Sequence, residues 1–347
     1  MAELTTLESP GLDFKRRLKV DLFPTIWCPG CGIGTIMIQL AMVLDEMGLD
    51  ETNTILVTGI GCTGRMGSYM KHESVYTLHG RTLPVAEAIK TVRPEMNVIV
   101  VSGDGDTASI GGNHLIHTVR RNARLTVLCN NNEIYGLTGG QTGPTTPTAT
   151  RTLSSPGGNP NSPINLQGLI RSSSHAMYAK TTVYHQLHMR NVIREAIEHD
   201  GFSFVDITSQ CIENNGRRIG FASANEMLTF YRKTYKRAPK GARQLAPFEI
   251  GVLYPDGHPS AGDGAAASTE TGSAGTAAAR GAAPGPAPVR EKAPVSDEEK
   301  ARRRAESQKR LALMARLDAA VKLDVATGKI SLADALLAAG IDPDAAP

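Results

Sequence analysis

Between residues 54 and 210 short apolar runs alternate with amphipathic stretches, and this rhythm constrains the fold more than any other feature of the chain. TILVTG (54–59), VYTLHG (75–80), NVIVVSGDGD (97–106), RLTVLCNN (124–131) and FSFVDIT (202–208) read as strands. LPVAEAIKTVRP (83–94), SIGGNHLIHTVRRN (109–122) and HQLHMRNVIREAIEHD (185–200) read as helices. Near-continuous apolar strands separated by helices predict an α/β fold, a doubly wound and mostly parallel sheet covered on both faces. In such sheets ligands sit beyond the carboxyl ends of the strands. Most of these runs end there in glycine or asparagine.

The chain has 347 residues, 41% of them hydrophobic and 20% charged, which suits one large globular core with appendages. A net charge of +3 gives no ground for nucleic-acid binding. No apolar run is long enough to span a bilayer, and the first twenty residues lack the apolar centre of a signal peptide. A cytoplasmic protein is expected. The catalytic domain is expected over residues 1–255. An Ala/Gly/Pro-rich segment, 256–295, reads as a disordered linker. Residues 296–347 read as a helical tail, with Ser296 and Glu299 as a capping box and Ser331 capping a second helix. The Gly/Thr/Pro/Ser-rich stretch from Tyr135 to about Ser162 reads as a long loop with an ordered start and a mobile remainder.

Two segments carry chemistry. GDGD (103–106) ends a strand and opens a helix. Its glycines let backbone N–H groups approach a phosphate, and Asp104 can ligate a divalent cation. CNNNEIYG (129–136) ends the next strand, with Asn132 placed 28 positions after Asp104. One strand–helix–strand unit separates the two, so both side chains reach the same sheet edge. Asp104, Asn132 and the carbonyl of Ile134 would supply the protein half of a Mg²⁺ shell. The five cysteines, at 28, 31, 62, 129 and 211, are too few and too odd for a disulfide framework. The CPGC turn at Cys28 and Cys31 is open to three readings: structural zinc, a thiol–disulfide pair, or part of an iron–sulfur site. Cys129 lies within a strand pattern and reads as buried filler.

The GDG followed by NN resembles the thiamine-diphosphate motif. WCPGCG, GIGC.G, TLHGR..P, GDGD..SIGGNH and IYG.TGGQ..PTTP occur in this order. Together they resemble the β subunit of the 2-oxoacid:ferredoxin oxidoreductases over about residues 20–240. The resemblance implies a [4Fe–4S] cluster held by Cys28, Cys31, Cys62 and Cys211, beside thiamine diphosphate and Mg²⁺. It implies oxidative decarboxylation of a 2-oxoacid to an acyl-coenzyme A and CO₂, with electrons passing through the cluster to ferredoxin. The GLTGGQTGPTTP loop leans toward 2-oxoglutarate over pyruvate or a branched-chain acid.

The same resemblance assigns site residues. Arg65 would face the substrate carboxylate, and His79 and Arg81 would contact cofactor or substrate. Gly103, Gly105 and Asp106 would shape the phosphate turn, and Leu137 and Thr138 would meet the diphosphate. His114 and His117 read as packing or surface histidines. No segment resembles a pyrimidine-binding domain, so an α subunit is expected to supply it and the chain to be inactive alone. Two rivals remain at this point: a thiamine-dependent decarboxylase subunit without redox chemistry, and a zinc-binding scaffold.

Overall fold

The computed structural model describes residues 13–255. The expected linker, helical tail and their caps at Ser296 and Ser331 lie outside the described residues.

The chain opens with α1 (Ile33–Glu46), β1 (Thr54–Thr58), the short α2 (Met66–Tyr69), β2 (Glu73–Tyr76) and α3 (Thr82–Val92). Then come β3 (Asn97–Gly103), α4 (Gly112–Arg121), β4 (Thr126–Asn131), and a two-stranded ribbon of β5 (Ile134–Tyr135) and β6 (Gln141–Thr142). The second half holds α5 (Leu166–Ile170), β7 (Met177–Thr182), α6 (Gln186–Glu198), β8 (Ser203–Thr208), α7 (Ala224–Thr234), β9 (Lys236–Arg237) and β10 (Glu249–Leu253). Eight strands form one sheet in the order β2-β1-β3-β4-β8-β7-β10-β9. All neighbours are parallel except β10 against β7. From β1 the chain turns outward to β2, then returns to place β3 on the other side. The carboxyl ends of β1 and β3 therefore flank the switch point, where an open α/β sheet forms a crevice.

Side chains alternate faces along each strand. Leu56, Ile99, Val101, Leu128, Val205 and Ile207 join α1 and α6 in one core. Val57, Val98, Val100, Val127, Cys129 and Phe204 join α3, α4 and α5 in the other. Cys129 is fully buried there, as filler should be.

The doubly wound, mostly parallel sheet matches expectation, and four local readings change. The strand expected over 75–80 is β2 and stops at Tyr76, leaving Leu78–Gly80 as a turn. The helix expected from Ser109 is broken: a π-turn spans Gly105–Ile110 and α4 starts at Gly112. The loop after Tyr135 is tied along its whole length. Leu153 N–H donates to Gly140 O at 2.8 Å, Ala149 N–H to Asn159 O at 2.8 Å and Ile164 N–H to Pro144 O at 2.8 Å. The Asn159 side chain adds a bond to Thr146 O at 2.8 Å. Its polar composition serves to hold the loop by hydrogen bonds instead of by a core. Helix α1, strand β7 and the α7–β10 segment were not anticipated.

Leu128 is 1% exposed at the middle of the sheet. Leu128→Ala should lower the unfolding free energy by about 2–5 kcal/mol, read as a lower urea midpoint at unchanged slope. A loss below about 0.5 kcal/mol, the level of a surface change, would place this side chain outside the core.

Candidate active site

A cleft opens at the β1/β3 switch point. Its walls include Ile60 to Thr63 after β1, His79, Gly103 to Asp106 after β3, and Asn132 with Ile134 to Thr138 after β4. The two expected motif halves thus converge, and Cys62 stands in the wall of the same cleft. Asp104 is 2% exposed. Burial pushes its carboxyl up to about 6, against the stabilising hydrogen bond from Thr145. Thr145 Oγ1 lies 2.6 Å from Asp104 Oδ2 and 2.9 Å from Asn131 Oδ1. Asn132 Oδ1 accepts from Ile134 N–H at 3.2 Å, which fixes the turn that presents both residues. Gly105 cannot carry a side chain, because a Cβ would lie 2.2 Å from the Tyr135 ring.

Asp106, expected to support the phosphate turn, lines the same cleft and ties it to neighbouring loops. It accepts from Gly80 N–H at 2.7 Å and from Ser102 Oγ at 2.8 Å. His79 Nδ1 lies 2.6 Å from Asp106 Oδ1, without the alignment of a hydrogen bond. Asp106 therefore holds the His79 turn against the end of β3.

The four cysteines come from three loops that meet at one corner. The chain at Gln210 clasps the CPGC turn: its side chain donates to Gly30 O at 2.9 Å and its carbonyl accepts from Gly32 N–H at 3.3 Å. Trp27 Nε1 donates to Cys62 O at 2.8 Å. Cys28 is exposed, and Cys31, Cys62 and Cys211 are partly buried. Burial pushes the Cys31 thiol up to about 12, and neighbouring Cys211, Cys62 and Cys28 add to the rise. Burial also raises Cys62 and Cys211. Thiolates here need a strong compensating positive charge, such as bound metal supplies. Among the described residues no three His, Cys, Asp or Glu groups converge tightly enough for one ion.

Other expected residues are placed differently. Arg65 is exposed one turn after Cys62 and outside the cleft wall; its charge opposes the rise of the Cys62 thiol. Arg81 is not brought to the cleft, because its Nη1 bonds His114 Nε2 at 2.8 Å on the surface. His117 is exposed. Leu137 and Thr138 line the cleft mouth and are exposed. Sequence reasoning missed Thr145 and Glu133. Glu133 has a left-handed φ of 62° and a carboxyl pushed up to about 7, by burial first and then by Asp104 and Asp206.

With Asp104 near 6 when folded and near 3.8 otherwise, the folded chain holds a proton that the unfolded chain has released between those values. This contribution to stability is full at low pH and is lost as pH rises through about 6. Asp104→Asn removes it. In metal-free protein the variant should gain on wild type by roughly 3 kcal/mol between about pH 4 and 7, in urea melts at stepped pH. A gap that stays constant with pH would refute the burial of a titrating carboxyl.

Comparison with known proteins agrees with the geometry. The family profile described as "Thiamine pyrophosphate enzyme, C-terminal TPP binding domain" matches residues 59–207. The 2-oxoglutarate synthase subunit KorB of Methanothermobacter marburgensis is 40% identical over 243 residues, covering 70% of this chain and 84% of that protein. The 2-oxoacid:ferredoxin oxidoreductase 2 subunit beta of Aeropyrum pernix is 36% identical over 261 residues, covering 70% and 82%. A solved 2-oxoglutarate:ferredoxin oxidoreductase from Magnetococcus marinus, with 2-oxoglutarate, coenzyme A and succinyl-CoA bound, superposes with a TM-score of 0.64 at 30% identity. It covers 73% of this chain and 88% of its own. A cleft built from a thiamine motif and walled by a cysteine, in a chain so related, identifies it as a member of the β-subunit family of the 2-oxoacid:ferredoxin oxidoreductases.

Proposed function

We propose that this chain, paired with an α subunit, converts 2-oxoglutarate and coenzyme A to succinyl-coenzyme A and CO₂, passing electrons to ferredoxin or a similar carrier. The observation that carries this reading is the shared wall: Cys62 lines the same cleft as Asp104, Asn132 and Ile134. The residues fit the two groups. Asp104, Asn132 and the Ile134 carbonyl would hold Mg²⁺, with Gly103 and Gly105 leaving room for a diphosphate and Leu137 and Thr138 at its edge. Cys28, Cys31, Cys62 and Cys211 would hold a [4Fe–4S] cluster. Thiamine diphosphate supplies an electron sink for decarboxylation, and the cluster a one-electron outlet.

The protein's own part is placement. Thr145 fixes Oδ2 of the Asp104 carboxylate, and the Asp104 and Gly105 backbone N–H groups steady the same carboxyl for a cation. Asp106 holds His79 at the cleft wall, where its ring lies 6.4 Å from that of Tyr135. Arg65, close to Cys62 and exposed, is suited to a substrate carboxylate by its planar fork of donors. The Magnetococcus enzyme holds 2-oxoglutarate, and the Methanothermobacter relative is named for it, which favours this acid over pyruvate and branched-chain acids.

Co-expression with the α subunit, then viologen reduction with a panel of 2-oxoacids and coenzyme A, tests the reading. 2-Oxoglutarate should give the highest kcat/KM. Asp104→Ala should abolish thiamine-dependent turnover with iron content near normal, whereas Cys62→Ala should lose iron first. Anaerobic protein without visible absorbance, yet releasing CO₂ from the acid, would establish the non-redox decarboxylase instead.

A further inference from the structure

A second cavity, of about 570 Å³, lies beyond the Asn131–Glu133 turn from the cofactor cleft; Asn132 borders both. One wall is aromatic. Phe221, Phe230, Tyr231, Tyr235 and Phe248 line it, and successive ring centroids lie 5.7, 6.1, 5.8 and 5.5 Å apart. The rest includes polar side chains, three of which are tied down by named hydrogen bonds. Asp206 accepts from Tyr178 Oη at 2.8 Å and from Asn131 Nδ2 at 3.0 Å. Lys180 Nζ donates to Pro247 O at 2.7 Å and stands 5.8 Å from the centre of the Tyr235 ring. Asn215 Nδ2 donates to Asn132 O at 3.1 Å.

Two acceptors are left over. Asn215 Oδ1 has no partner, although the residue is 3% exposed. The half-buried Glu133 carboxylate feels the charge of Lys180 but has no hydrogen-bond donor among the described residues. A buried acceptor without a donor, as at Asn215 Oδ1, is costly, and a ligand that donates there relieves it. Aromatic faces add attraction for positive charge, and Lys180 over Tyr235 shows the wall already doing so for one ammonium. Apolar rings also favour an alkyl stem over a bare ion.

We propose that this cavity is a binding site for an organic cation, a primary alkylammonium whose N–H groups meet Glu133 and Asn215 Oδ1 and whose stem lies along the aromatic wall. The site does not depend on the cofactor assignment.

The test uses the full chain with its α subunit and n-butylammonium as probe, read by saturation-transfer NMR, with 1-butanol at matched ionic strength as the neutral isostere. Saturable transfer to the ammonium and none to the alcohol is expected. Phe230→Leu/Phe248→Leu, at two rings 39% and 50% exposed, should weaken the ammonium about tenfold without unfolding the chain. Glu133→Gln, which keeps shape and removes charge, should weaken it likewise. The proposal fails if the ammonium shows no saturable transfer, if the alcohol binds equally, or if both variants bind the ammonium as wild type does.

Discussion

One buried carboxylate in its wall organises the cofactor cleft. Asp106 draws three chain segments together: the end of β1 at Gly59 and Ile60, the His79–Gly80 turn, and the end of β3 at Ser102. Each gives up something for the arrangement. Gly59 can carry no Cβ, since one would lie 1.8 Å from Asp106 Oδ2. Gly80 has a φ of 71° and would meet Ile110 C at 2.6 Å. A charge removed from water persists only where fixed donors replace its hydration, and Gly80 N–H and Ser102 Oγ are such donors. The parallel sheet fixes where strands end; this carboxylate fixes how the loops leave them.

Two residues earlier in the chain the same residue type does the opposite. Asp104 is as deeply buried as Asp106, with 2% exposure each, but it is held by the Thr145 hydroxyl and the backbone N–H groups of Asp104 and Gly105. Burial therefore wins at Asp104, and its proton is held to about 6. A divalent cation would resolve that imbalance by displacing the proton. The two carboxylates of GDGD thus differ in their surroundings, which the motif itself does not reveal.

Much of this was legible in the sequence. The strand rhythm gave the sheet, and Asp104 with Asn132 gave the crevice, because a parallel sheet forces the ends of successive strands to one edge. What escaped had physical reasons. Helix α1 buries Ile33, Ile36, Met37, Leu40, Ala41, Val43 and Leu44, and its near-uniform hydrophobicity leaves little polar contrast for periodicity to reveal. Thr145 sits in a stretch whose composition reads as mobile, yet bonds such as that from Asn159 Nδ2 to Thr146 O hold it. Arg81 was expected in the cleft because TLHGR was read as a unit. His79 lines the cleft, but Arg81 turns to His114, a partner 33 residues away that local sequence does not announce.

The clasp of Gln210 on Gly30 and Gly32, and of Trp27 on the carbonyl of Cys62, bears on biogenesis. Zinc fingers wait for their ion before they fold at all. Here the thiol-bearing turns are latched to one another by amide and indole contacts, so their mutual placement does not rest on a bound group alone.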